Sequence, residues 1–551
     1  MTFFKNRSVN ISIFIIIVVS VITFGNIKDI FFQQDEWLGL GGAISRSESG
    51  GLIRLFADMI PSNSQTVRLV PLTSIVNYLV FNLLGLKFGL YGVMSLAIGL
   101  INAVWVNIVV QKITRSYLVS TLVAILWLTN SLSDQAITWV STVVPSQLSF
   151  LFFLISFYIF IKFVEEFKST LLYLSLFFVT VSLSFKETGI FYIVIFPLYF
   201  LFFSKIKRSK QALIKKMPIL LIPIILIFLI PRVFYHPQNA LLKTTMYSPT
   251  VDNVIYNTFL LPARSLSQVF IGQTKLYQLF NDANKIHYSE STNGFVVESI
   301  IADVVSLLTS FYFLLFVLLA AAIAKREFKG QIIWSLLCFF ISTLPFIFFQ
   351  NQAAILERRY YVYPALFASI LMVVVFYSLF SKLNHKLKLG IMTLLFTPLV
   401  IYNISRVHTS LQSDILVGQY RHGILQSISA IRPKLSQTNI FYFYSDNTGF
   451  YEFQSGFGQT LAVWLYDSGK IPTGVLTDVD FWDSSYEGIK SYNGQKFGYF
   501  MSYNKLLEAL KNDESIPLTS VHSFYWDQQK HTVKDISGDI RLKLQLPQEN
   551  L

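Results

Sequence analysis

Residues 303–324 read DVVSLLTSFYFLLFVLLAAAIA, and Lys325 and Arg326 follow at once. After Asp303 no charge appears until Lys325. A helix rises about 1.5 Å per residue, so this run can cross a hydrocarbon core about 30 Å thick. Similar apolar runs recur from end to end of the chain's first 400 or so residues. Of the 551 residues, 53% are hydrophobic and only 14% charged, where a soluble domain carries about 25% charged. The mean hydropathy is +0.53. Lipid must act as solvent for much of such a chain.

Working outward from 303–324, the expected spans are 11–24, 88–110, 117–131, 145–163, 170–185, 188–204, 217–231, 303–324, 332–349, 361–381 and 389–403, about eleven in all. The first follows Lys5 and Arg7 and is succeeded by no small-x-small cleavage site, so it reads as a retained helix. Lys5 and Arg7 place the N-terminus in the cytoplasm. Every loop that this count puts inside carries Lys or Arg, the richest holding Lys205, Lys207, Arg208, Lys210, Lys215 and Lys216. The net charge of +13 therefore follows membrane topology and does not point to nucleic acid. Residues 27–86 fall outside. Within them 69–86 is apolar but holds Pro71, Asn77 and Asn82, and it reads as a helix lying along the membrane surface.

After Tyr402 the composition turns polar, with short aromatic strands such as Ile440–Tyr444 and a short helix at Tyr503–Leu510. The expected organisation is a membrane domain over 1–403 and a soluble extracytoplasmic α/β domain over 404–551.

The distinctive polar residues gather in the external loops. Asp35 and Glu36 follow the first span, Asp134 lies between two spans, Lys186 and Glu187 join two more, and Glu357, Arg358 and Arg359 precede the span at 361. Singly, each has an ordinary reading. Asp35–Glu36 suit a solvated loop, Asp134 a helix N-cap, Lys186–Glu187 an interfacial ion pair, and Arg358–Arg359 snorkelling at the lipid surface. Together on one face they suggest a polar cavity. A carboxylate near the bilayer surface can take a proton from an acceptor hydroxyl, and a guanidinium fork matches phosphate oxygens. Sugar transfer from a polyprenyl phosphate needs both. Its leaving group is a weakly basic phosphate, so one base, charge stabilisation and positioning suffice.

Five ordered patterns carry a resemblance. They are Gln34-Asp35-Glu36-Trp37, Arg68-Leu-Val-Pro71-Leu72, Asp134-Gln-Ala-Ile-Thr-Trp139, Ser184-Phe-Lys186-Glu187, and Glu357-Arg358-Arg359-Tyr360-Tyr361-Val-Tyr363-Pro364. In this order, over roughly residues 30–365, the chain resembles the GT-C superfamily of membrane glycosyltransferases, in particular its mannosyltransferase branch. The last three are similar to that branch's E-x-x-x-W, S-K-E and E-R-Y-x-Y-x-P-S elements. The resemblance implies a GT-C-like helical bundle with a long first external loop. It implies inverting transfer of a sugar from a polyprenyl-phosphate carrier to an extracytoplasmic acceptor (glycan, lipid or protein) at the cell membrane. Asp35 takes the role of base, with Glu36 and Asp134 as further acidic candidates. Arg359 takes the carrier phosphate, with Arg358 and Lys186 beside it and Glu187, Arg68 and Tyr360 supporting. Three departures touch subfamily and sugar identity: Asp134 stands where the branch has Glu, Trp139 comes one residue late, and Phe185 is inserted after Ser184.

Two other readings stay open: an oligosaccharyltransferase or polymerase moving a preassembled glycan, and a transporter or lipid flippase. Against the latter, the spans are mostly unbroken Leu, Ile, Phe and Val. No cofactor is implied. The single cysteine, Cys338, and seven scattered His residues form no metal signature. Asp478-Val-Asp480 has the D-x-D form that can hold a divalent cation, and Phe481-Trp482-Asp483 faintly resembles an oligosaccharyltransferase acceptor element. Both read as a solvated turn. Gly39–Gly42 follows no strand and is no nucleotide loop.

Overall fold

A computed structural model describes residues 7–33, 35–58, 70–204, 216–229, 250–271, 286–289, 294–297, 300–347, 358–431, 433–445, 456–483, 486–527 and 529–545. The chain divides into two compact units. The first comprises residues 1–27, 58–74 and 92–410, and the second 28–57, 75–91 and 411–551.

The first unit is a helical bundle. Across the described residues, seven helices have the length and apolarity to cross a membrane: Ser8–Asp29, Phe88–Thr114, Val140–Glu166, Val304–Ile323, Arg326–Phe346, Val362–Leu379 and His385–Ile431. Four more of the expected spans coincide with shorter apolar helices, Tyr117–Thr129, Ser169–Phe185, Glu187–Phe203 and Pro218–Ile227. The fifth short helix, Pro71–Leu84, is the one read as lying along the surface.

Helix pairing in the bundle follows from small residues. Ser156 Oγ donates to the Ser175 carbonyl at 2.7 Å, and Ser175 Oγ returns a bond to the Ser156 carbonyl at 3.0 Å. The two helices of this hairpin thus approach closely without leaving a polar group bare. The turn between them closes on Phe167 with φ +55°. Aromatic rings fill the bundle interior: Phe157 stacks on Trp334, and Phe160 on Phe196 at 4.4 Å. Helix Val362–Leu379 is sheathed on nearly all sides, and Trp127 Nε1 donates to its Val362 carbonyl at 2.9 Å.

The span Val140–Glu166 is interrupted. Over Val143–Leu148 the helix widens to π-type turns, around Pro145, which has no N–H to give. Asn102 Nδ2 reaches into this stretch and bonds Gln147 Oε1 at 2.6 Å.

The second unit carries a five-stranded mixed sheet in the order Gly488–Tyr492, Gln495–Phe500, Thr438–Ser445, Val521–Asp527, Thr532–Asp535. The three middle strands are parallel and the two edges antiparallel. The expected strand at 440–444 is the centre of this sheet, and the expected helix at 503–510 runs as Tyr503–Asn512. Ile440, Tyr442, Phe500, Leu506, Val521 and Ile540 form a core. The unit reaches back beyond residue 404, because it includes 28–57 and 75–91. Helix Asp35–Glu48 shows why Gly41 is glycine: a Cβ there would strike the Leu476 carbonyl oxygen. The last span also does not stop at 403, since its helix continues without a break to Ile431.

His522 sits buried in the central strands against Phe441. Burial first, then the nearby Arg541 charge, push its imidazole down to about 4 from 6.5, with Asp535 opposing. The folded unit therefore holds a neutral ring, and the unfolded chain binds the extra proton between these values. Stability should be full above pH 6.5, fall as pH drops towards about 4, and level off below, a loss of at most about 3 kcal/mol. Thermal unfolding of the full chain in detergent, followed by tryptophan fluorescence, should show this slope, and His522→Phe should flatten it.

Candidate functional site

The site is built where four separate segments of the bundle meet. Asp134 caps the short helix Gln135–Thr138, its Oδ1 accepting from the Gln135 N–H at 2.7 Å. Its Oδ2 accepts from Arg358 Nη1 at 2.9 Å. The Asp134 side chain is fully buried and Arg358 is one-third exposed. Burial pushes the Asp134 carboxyl up, and the charges of Arg358 and Arg406 pull it back. Arg358 Nη1 also donates to Ser410 Oγ at 2.9 Å. The carboxylate thus caps its helix and also holds Arg358, for which the sequence suggested snorkelling at the lipid surface.

Arg359 is oriented differently. Its N–H donates to Gln135 Oε1 at 3.3 Å, which fixes the backbone of the turn Arg358–Tyr360. Its guanidinium lies over the Trp139 ring at 4.6 Å and 5.3 Å from the Tyr360 ring centre. Trp139 can reach it because the chain is extended at that residue, between two helical turns.

Lys186 approaches the same tyrosine. Its backbone is extended, breaking the run between helix Ser169–Phe185 and the tight turn Glu187–Phe191. Its Nζ lies 5.0 Å from the Tyr360 ring centre and donates to Ser146 Oγ at 2.8 Å. Ser146 is in the widened turn beside Pro145. Lys186 is 8% exposed, so its ammonium is largely out of water. Two cations therefore share the ring of Tyr360.

The remaining tyrosines of the Arg358–Tyr363 stretch are anchors. Tyr361 O–H donates to Gln268 Oε1, and Ser265 Oγ donates to Tyr361 at 3.3 Å. Tyr363 hydroxyl pairs with Ser149 Oγ at 3.0 Å, and Ser149 also donates to the Lys186 carbonyl at 3.3 Å. The anchor of the arginine turn and the backbone of Lys186 are thus tied to one serine. Glu187 opens its turn half-buried.

Asp35 and Glu36 belong to the second unit, at the start of helix Asp35–Glu48. Glu36 is buried and its Oε2 accepts from the Gln33 N–H at 3.2 Å. The Gln33 carbonyl accepts from Arg421 Nη1 at 2.9 Å. Glu36 therefore secures the entry to its helix, while Asp35 is half-buried. Arg68, with Gln34 and Glu357, lies outside the described residues.

The sequence reading had no means of finding Ser146, Ser149, Gln135 or Ser410. A serine in an apolar run is common in membrane helices, and only Pro145 marked the place where a span opens.

In the second unit, Asp478 caps Val479–Trp482, accepting from the Asp480 N–H. Lys490 Nζ bonds both Asp478 oxygens at 2.8 Å and also Asp480, and Tyr492 O–H donates to Asp478 at 2.6 Å. Burial raises the Asp478 carboxyl, but these bonds outweigh it and the net shift is downward. One ammonium therefore bridges both carboxylates of the D-x-D pair and balances one of their two charges. Among the described residues no cluster of three or more His, Cys, Asp or Glu is placed to hold a metal. The same unit has a concavity of about 240 Å³ whose lining includes Phe31, Phe88, His422, Lys28, Asp29 and Gln419.

Neither known protein families nor curated proteins give a match to this chain.

Proposed function

We propose that this protein is a membrane glycosyltransferase that moves one sugar from a polyprenyl phosphate to an extracytoplasmic acceptor, with inversion. The observation that carries the reading is the pair of cations, Arg359 and Lys186, on the Tyr360 ring beside Trp139. A phosphate is the anion such a pair suits, because the guanidinium offers a fork and the ammonium a point charge. Asp134 and Arg358 neutralise each other and act as scaffold.

In the reaction the acceptor oxygen attacks the anomeric carbon, and the bond from that carbon to the phosphate oxygen breaks. The electron pair leaves with the phosphate, whose growing charge Arg359 and Lys186 meet. The acceptor's hydroxyl proton goes to Asp35. Arg359 and Lys186 thus bind donor, and Asp35 does the proton transfer.

A second reading, a flippase for lipid phosphates, draws on the opened helix at Val143–Leu148. One assay separates the two. Membranes containing the protein are given a panel of radiolabelled polyprenyl-phosphate sugars. Transfer consumes donor and yields polyprenyl phosphate, whereas flipping leaves donor intact. If no member of the panel is consumed, the glycosyltransferase reading fails.

The reading places the N-terminus in the cytoplasm and the sheet-bearing unit outside, in the cell membrane. A reporter fused after Leu551 should be active only in its extracytoplasmic form, and strong cytoplasmic-reporter activity there would refute the orientation. Asp478→Ala and Asp480→Ala should leave donor turnover near wild type. Loss of turnover restored by excess Mn²⁺ would instead favour a metal site at that turn.

A further inference from the structure

The second unit has an apolar surface that its own core does not use. In helix Gly51–Asp58, Leu55 is buried while Leu52, Ile53 and Phe56 stand exposed, Ile53 at 82%. Leu79 and Leu83 are one turn apart in Pro71–Leu84 and also exposed, Leu83 at 77%, while Phe81 is buried. The two helices are joined through the preceding one: Ser47 Oγ donates to Asn82 Oδ1 at 2.8 Å and lies 3.2 Å from the Tyr78 hydroxyl. Large apolar side chains in water cost about 25 cal/mol per Å² of surface left wet.

We infer that Gly51–Asp58 and Leu79–Leu86 form an interfacial platform that seats in the headgroup–acyl boundary of the bilayer. Two observations name lipid as the occupant. First, the segment is tethered to the membrane at both ends. The span Ser8–Asp29 ends beside Lys28, and the span Phe88–Thr114 begins directly after Lys87. The chain from 30 to 87 thus leaves and re-enters at a bilayer surface. Second, neither helix is built to cross it. At about 1.5 Å per residue the eight residues of Gly51–Asp58 fall well short of about 30 Å, and Pro71–Leu84 carries Asn77 and Asn82 within its apolar run. Arg54 and Lys87 are exposed beside the leucines, where their stems can follow apolar surface and their charges meet lipid phosphate. Helix Asp35–Glu48 packs on this platform, with Gly39 against the Phe81 ring. If Asp35 is the base proposed above, the platform fixes its height. The platform itself stands without that reading.

The test measures depth, not activity. Ile53→Cys and Leu83→Cys are made in a Cys338→Ser background, spin-labelled and reconstituted in liposomes. Leu318→Cys in the span Val304–Ile323 and Leu542→Cys in the C-terminal helix serve as lipid and water references. Both positions are surface side chains, so the substitutions remove no core contact. Collisions with oxygen and with a water-soluble nickel chelate should place both labels about 5–10 Å below the headgroups, between the two references. Chelate access equal to that at 542 at either position overturns the platform, as does a depth equal to that at 318.

Discussion

Arg359→Ala is expected to lower donor turnover by about 10²-fold or more while the protein still inserts and purifies normally. The guanidinium lies over Trp139 and close to Tyr360, and its position is set through the backbone bond to Gln135, which the alanine variant keeps. On the proposed reading, what is lost is a charged fork at the place where phosphate charge grows. Arg359→Lys retains the charge without the fork, so it should recover only part of the activity. Arg358→Ala should behave differently. It strips the buried Asp134 carboxylate of its cation, a change that costs about 3–5 kcal/mol for a fully buried pair. Arg358 is one-third exposed, so the lower end applies. Its main effect should be on thermal stability and yield. Wild-type turnover in Arg359→Ala would remove that residue from the site.

The comparison of these two arginines shows what a sequence discloses and what it withholds. Uncharged runs such as 304–324 make membrane helices visible, because no other solvent tolerates them. The polar residues at their ends are visible for the same reason. Arg358 and Arg359 are adjacent, chemically identical and equally placed by that logic, yet one holds Asp134 and the other faces two rings. That division depends on partners more than 200 residues away in the chain. The same holds for Lys186, whose hydrogen-bond partner Ser146 is displayed by a widened turn that nothing but Pro145 announces. The C-terminal sheet was legible through its aromatic strands. Its membership was not, because residues 28–57 and 75–91 join it through contacts such as Gly41 on Leu476 that leave no local pattern. The end of the last span was set at a change in composition, but a helix needs no apolar side chains to continue, and it runs on to Ile431.

The proposed mechanism turns on Asp35. Asp35→Asn is nearly isosteric and cannot accept a proton at neutral pH, so turnover should fall by about 10²-fold or more with donor binding retained. Three carboxylates compete for the role, and their surroundings differ. Asp134 gives one oxygen to the Gln135 N–H and the other to Arg358, so its lone pairs are engaged and its charge is matched. Glu36 is buried and accepts from the Gln33 N–H, which makes it part of the helix entry. Asp35 is the half-buried member of the adjacent pair, and neighbouring side chains on a helix point in different directions, so the two need not share a task. Asp134→Asn should therefore lower stability more than it lowers turnover per folded molecule, because the amide keeps a hydrogen-bonding oxygen but no longer balances Arg358. Glu36→Gln retains an acceptor for Gln33 and should cost less than Asp35→Asn. The readout is kcat and KM for donor in each purified variant, normalised to folded protein. An active Asp35→Asn beside a dead Glu36→Gln or Asp134→Asn would move the base to another carboxylate and leave glycosyl transfer standing. Full activity in all three variants would remove proton abstraction by these groups and leave glycosyl transfer without the base proposed here.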